Sequence, residues 1–239
     1  MTVGLFLIYT GFWGFYAACN VPIYDLGPEY GMEGVTFFTA TNIYLTPTTL
    51  SGITMNFLMS LSGGLLAGYV VVSKGDPFWT YSSGLAGIIC ASAGNDLYHP
   101  IQSMIIGMIG VVIAYKMHYW VEKKYKIDDA VGAVAVHGYA GFVGLVICGF
   151  VLNGYPSSGY SVGAMWDGTN YAAINPLGMF IGAIIMFFVL GMLPGYIIAK
   201  VLHGMGKLRI PREVELAGLD YTIMEEAKED EKAVVSASR

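Results

Sequence analysis

Residues 130–152 read AVGAVAVHGYAGFVGLVICGFVL, 23 residues without a formal charge, and His137 lies among them eight positions after Asp129. An ionisable group at hydrocarbon depth is costly, about 2.5–3.5 kcal/mol for Asp, Lys or Arg at a helix centre. Such a group therefore tends to face a cavity, a partner or a conduction path. A neutral imidazole donates one hydrogen bond and accepts another, which suits a small solute that does both. The rival reading is a histidine bonded to a neighbouring helix, serving packing alone. The remaining histidines read as capping or interfacial: His99 precedes Pro100 at a helix start, His118 lies near a span end, and His203 follows the last span. Asp129 reads first as a cap or buried acceptor, second as an ion contact. A second set lies in the opening segment, where Ile8, Phe12, Phe15 and Cys19 recur at spacings of three or four along one helical stripe. An aromatic stripe usually packs. Placed near the outer end, above a pore histidine on another helix, it would instead read as functional.

These residues must be positioned by helices in a bilayer. The 239 residues are 55% hydrophobic and only 12% charged, with a mean hydropathy of +0.59. That excludes a soluble domain, whose surface needs more charge. Apolar runs of about 20 residues cross roughly 30 Å of hydrocarbon as helices, and no alternating barrel pattern is present. The expected class is an all-α, polytopic membrane helical bundle of about six transmembrane helices, at about 4–22, 48–73, 78–94, 98–120, 130–152 and 176–202. The third run, short and rich in Ser and Gly, predicts a broken or tilted helix. Residues 1–203 then form the transmembrane domain and 204–239 a charged tail, frayed from about 225.

Basic residues fall on one side only. The connections around 23–47, 95–97 and 153–175 hold no Lys or Arg, whereas all twelve basic residues, from Lys74 to Arg239, lie on the other side. The positive-inside rule places that side, and the C-terminus, in the cytoplasm of a multi-pass cell-membrane protein. The opposite face carries Asp25, Glu29, Glu33, Asp96 and Asp167, which modestly enriches cations. Cys19, Cys90 and Cys148 are odd in number and lack paired spacing, so neither a disulfide framework nor a zinc site is indicated. Met1 runs into the first span without a basic leader, and no cleavable signal peptide is expected. Nor does a P-loop, metal-ligand cluster or intramembrane Ser/His pair suggest an enzyme.

Small residues mark where backbones approach closely: Gly63, Gly64, Ala67 and Gly68 in the second span, and Ala130, Ala133, Gly138, Gly141 and Gly144 in the fifth. The Asp128-Asp129 pair precedes the fifth span, where a carboxylate caps free amides. Pro194-Gly195 predicts a kink in the sixth.

Three segments carry a resemblance. DDAVGAVAVHGYAGFVGL at 128–145, GFWGFYAACN at 11–20 and LRIPREVELAGLD at 208–220 are similar to signatures of the ammonium transporter / Rhesus family, in the expected order and orientation. The resemblance implies two inverted five-helix repeats plus one further helix, assembled as a homotrimer in the lipid membrane. This chain corresponds to the second half of that eleven-helix fold, as an apparently N-terminally truncated form. By the same resemblance, His137 is the second of twin pore histidines and Phe15 the inner gate phenylalanine. Cys19 stands at a recruiting position, Phe12 and Ile8 line the pore, and Asp129 is the buried aspartate. Arg209, Pro211, Glu215, Gly218 and Asp220 match a regulatory tail that docks a cytoplasmic nitrogen-regulatory signalling protein. Gly132 departs from the family by replacing an acidic residue. The implied solute is ammonium or ammonia, with no cofactor and no nucleic acid. The alternatives are an ammonium-sensing membrane protein and a non-conducting fragment.

Overall fold

Helices occupy the apolar runs in the computed structural model, which describes residues 2–18, 42–43, 46–47, 50–73, 75–95, 97–154 and 174–218. The order is α1 (Thr2–Ala18), a two-stranded antiparallel ladder β1 (Asn42–Ile43) with β2 (Thr46–Pro47), α2 (Leu50–Ala67), α3 (Pro77–Ala91), α4 (Pro100–Tyr125), α5 (Ala140–Val151), α6 (Pro176–Ile184), α7 (Leu193–Gly204) and α8 (Arg212–Ala217). The protein is an all-α, multi-pass helical bundle. Among the described residues, four helical stretches are long and apolar enough to cross a membrane, and Val3–Ala18 is a shorter apolar helix.

Helix starts follow a repeated local device, a polar residue before proline. Asp76 accepts the Phe78 amide at 2.8 Å ahead of α3, and Asn175 accepts the Gly178 amide at 2.7 Å ahead of α6. His99 Nδ1 accepts the Ile101 amide at 3.2 Å, while Gln102 accepts the His99 amide at 3.0 Å. Pro77, Pro100 and Pro176 then occupy the first turn, where the missing N–H has no intrahelical partner to lose. So His99 is a cap. At the far end of α4, Lys126 closes the helix in the left-handed conformation (φ 56°, ψ 33°), with Lys123 and Lys124 complementing the dipole.

Packing is inside-out relative to a soluble protein. On α4 the large Ile101, Ile105 and Ile109 are exposed, while Ser103, Gly107, Gly110 and Ala114 are buried. A Cβ on Gly64 would stand 2.5 Å from the Ser83 carbonyl oxygen, and one on Gly107 would stand 2.7 Å from that of Ser60. Backbones meet there, as close helix association in lipid requires. The expected break in the third span takes a limited form: α3 is regular through Ala91 and tightens to a 3-10 turn at Ser92–Gly94. Its shortness and its small residues have one cause, since every residue from Ser82 to Ala91 is buried among other helices.

Polar ties fix the elements that surround it. Tyr16, fully buried, donates to the Ile88 carbonyl at 2.6 Å, and Tyr9 donates to the Tyr81 carbonyl. These two bonds lie about two turns apart on one face of α1 and hold it against α3. Asn56 donates to the carbonyls of Asn95 (2.6 Å) and Tyr98 (2.8 Å), so that a buried amide satisfies the turn into α4. The chain divides into two units, Met1–Phe187 and Phe188–Arg239.

If backbone proximity holds the bundle, filling it should be costly. A Cβ at Gly144 would collide with the Cys90 carbonyl, whereas at Gly182 nothing lies within 4 Å. Gly144→Val is expected to destabilise by about 1–3 kcal/mol and Gly182→Ala to be neutral or mildly stabilising. Reversible unfolding in mixed micelles would compare them.

Candidate functional site

The segment that carries His137 is built backwards from its cap. After the left-handed Lys126, the chain turns over residues 127–133, and Gly132 adopts φ 65° with its amide bonded to the Asp129 carbonyl at 2.8 Å. A Cβ there would reach 3.0 Å from Phe78, so both conformation and space favour glycine. The departure at Gly132 thus has a steric reason in this chain. Asp129 then straddles the helix start: one carboxylate oxygen accepts the Val134 amide at 3.2 Å and the other the Ala135 amide at 2.9 Å. Asp128 is exposed. The first six residues, Val134–Tyr139, wind as a π-helix before α5 begins at Ala140. A π turn widens the helix and rotates the side chains beyond it, a device frequent at functional sites.

Within that turn Ala135 and Val136 face the core, and His137 is exposed. The imidazole meets Phe12 of α1, ring centroids 6.2 Å apart and planes at 33°. Phe12 in turn meets Phe15 edge-on at 5.9 Å. Phe15 is 52% exposed and Ile8 43%, in contrast to Tyr9 and Tyr16 on the packed side of the same helix. The two tyrosine bonds therefore decide which way α1 turns. They present Ile8, Phe12 and Phe15 on the side from which His137 is also reached.

The structure thus brings together His137, Phe12 and Phe15, with Ile8 one turn away on α1. Asp129 stands apart, at the foot of the turn, engaged with backbone amides rather than with the imidazole. Cys19 lies outside the described residues, as does Asp220. In the tail, Arg209 donates to Glu215 at 2.6 Å, Pro211 precedes α8, and Gly218 ends it at φ 91°. With both partners of that ion pair largely exposed, it contributes at most about 1 kcal/mol.

Two features were not legible in the sequence. One is the π geometry, which recurs at Gly68–Val72 and Ile185–Met192. The second is a cluster at the foot of the site. Trp79, almost fully buried, donates its indole N–H to Tyr119 at 3.2 Å and meets the rings of Tyr115 and His118 at 5.1 and 5.4 Å. His118, expected at an interface, is instead largely enclosed, with Nδ1 3.5 Å from Asp129. That separation suits an ion pair but lacks hydrogen-bond geometry. The two residues stand on either side of a left-handed turn, and no periodicity connects them.

An apolar multi-pass bundle with an imidazole and phenyl rings on neighbouring spans defines a polytopic membrane protein with an ionisable group among its helices. The profile of the Ammonium Transporter Family matches residues 1–229, and the chain belongs to that family. Among its relatives, ammonium transporter Amt1 of Methanocaldococcus jannaschii is 29% identical over 211 residues, covering 86% of this chain and 50% of that protein. Amt2 of the same organism is 32% identical over 166 residues, 68% of this chain and 35% of that protein. The ammonium transporter of Bacillus subtilis is 26% identical, covering 91% and 48% respectively. The chain spans about half the length or less of these curated relatives.

Asp129→Ala removes the cap and is expected to lower stability by about 0.5–2 kcal/mol. Asp128→Ala, an exposed carboxylate with no such bond, should change it by less than about 0.5 kcal/mol. Paired unfolding measurements of the two variants check the assignment.

Proposed function

We propose that this chain supplies one imidazole-bearing half of an ammonium conduit. The observation that carries the reading is the approach of His137 to Phe12, which in turn meets the exposed Phe15, in a chain of this family. Ammonium is strongly hydrated, and entering a dry passage while charged is expensive unless protein groups replace the water. Aromatic faces offset part of that cost at the mouth, up to about 2 kcal/mol when desolvated. Desolvation also makes the cation more acidic, so deprotonation at the entrance is favoured. Ammonia then passes His137, whose neutral imidazole both donates to it and accepts from it, and the proton lost at the entrance, taken up by the imidazole, is handed back to ammonia beyond it. Phe15 acts as a steric gate against water, and Ile8 and Phe12 line the route. By the family resemblance, Cys19 stands at a recruiting position. Asp129 acts on the solute only through the turn it caps. Further helices close the open side of α1 and the His137 turn, as in the second half of an inverted-repeat transporter.

The rest of the reading concerns assembly and orientation. The chain works within a homotrimer, its tail from Arg209 through Asp220 lies in the cytoplasm, and that tail engages a nitrogen-regulatory signalling protein. The arrangement of all twelve basic residues on one side of the spans supports the orientation.

In the transporter that contains this chain, His137→Ala is expected to reduce methylammonium uptake at least tenfold, and unchanged uptake rejects the conduit. A protease-cleavable tag after Arg239 should be cut in inside-out vesicles and protected in intact cells. The reverse pattern overturns the topology.

A further inference from the structure

The Trp79–His118–Asp129 cluster lies outside the conduit, and none of its members touches the His137 ring. Its geometry nevertheless ends on the backbone that carries that ring. His118 Nδ1 is buried and has no hydrogen-bond partner, although the Asp129 carboxylate stands only 3.5 Å away. A buried polar atom without a partner carries a desolvation cost that a small movement would remove. Here a shift of about half an ångström suffices to reach hydrogen-bond range. The imidazole has little freedom to turn elsewhere. Trp79 packs edge-on against it at 5.4 Å and Tyr119 at 4.9 Å, while the Trp79 indole N–H, bonded to the Tyr119 hydroxyl, fixes both rings. The carboxylate is equally constrained, because both its oxygens accept amides at the start of the π turn.

We propose that His118 is a positioning residue. Its Nδ1–H donates to Asp129, steers that carboxylate onto the Val134 and Ala135 amides, and so sets the register of the π turn that presents His137. The interaction joins the last turns of α4 to the start of the fifth span across the Lys126 reversal, with α3 as the wall behind it. The consequence for transport rests on the conduit proposed above, whereas the effect on the backbone does not.

Hydrogen–deuterium exchange on the membrane-embedded chain reads the backbone directly. His118→Phe keeps a ring against Trp79 but removes the donor, and it is expected to speed exchange at Val134 and Ala135 at least tenfold while leaving α2 unchanged. In His118→Asn the side-chain amide nitrogen stands in for Nδ1, and exchange should stay within threefold of the parent. Equal exchange in the parent and His118→Phe overturns the proposal, as does equal acceleration in both variants. Should His118→Phe loosen the whole bundle, seen as faster exchange in α2, His118→Gln replaces it. Gln reaches the Nε2 position instead, so acceleration relative to Asn is expected, and identical behaviour overturns the proposal. Methylammonium uptake in the same variants should fall in step with the exchange change. Altered exchange with unaltered uptake overturns the conduit and upholds the positioning role. Unaltered exchange in a protein whose uptake still depends on His137 overturns the positioning role alone.

Discussion

Inside hydrocarbon, an apolar side chain gains nothing by leaving lipid for a neighbouring helix, so helices hold together only where backbones come close or polar groups meet. Most of this architecture stems from that constraint. α3 is surrounded because it is nearly bare: Ser82, Ser83, Gly84, Ala86 and Gly87 let α2 and α4 approach its backbone. On α4, Ile101, Ile105 and Ile109 turn outward, where they cost nothing. Tyrosine and asparagine supply the remaining cohesion by donating to buried carbonyls, as Tyr16 does to Ile88 and Asn56 to the turn before α4.

The same constraint explains how a polar ring comes to be presented on an exposed side. With Tyr9 and Tyr16 committed to α3, α1 has a defined rotation, and Phe12 sits between its packed and open sides. The fifth span is oriented by its cap rather than by bulk. Asp129 fixes two amides, the π turn redirects the side chains beyond the cap, and His137 emerges beside Phe12. One carboxylate at a helix start can aim a side chain in this way because the amides there have no other partner.

Membership of the ammonium transporter family accords with this arrangement, and the glycine at 132 has a local cause. Gly132 stands where the chain needs a positive φ beside Phe78. His118 is enclosed beside the same turn. It is supported by Trp79 behind and Asp129 ahead, two residues that already had structural roles.

Much was determined by the residues alone. Apolar length set the helical class, His99 before Pro100 marked the start of α4, and glycine-rich faces foretold close packing, because each depends on local backbone chemistry or on composition. The sequence also singles out His137, Phe12 and Phe15 as candidates, because an imidazole within an uncharged run is rarely idle. Tertiary structure alone decided that Tyr9 and Tyr16 turn inward while Ile8 and Phe15 turn out, because a helix hydrophobic all round carries no periodic signal of its orientation. It alone decided where the backbone widens into π turns, and that His118 meets Asp129. Both arise from how packed neighbours redirect a chain reversal, and pairwise spacing along the sequence holds no trace of that.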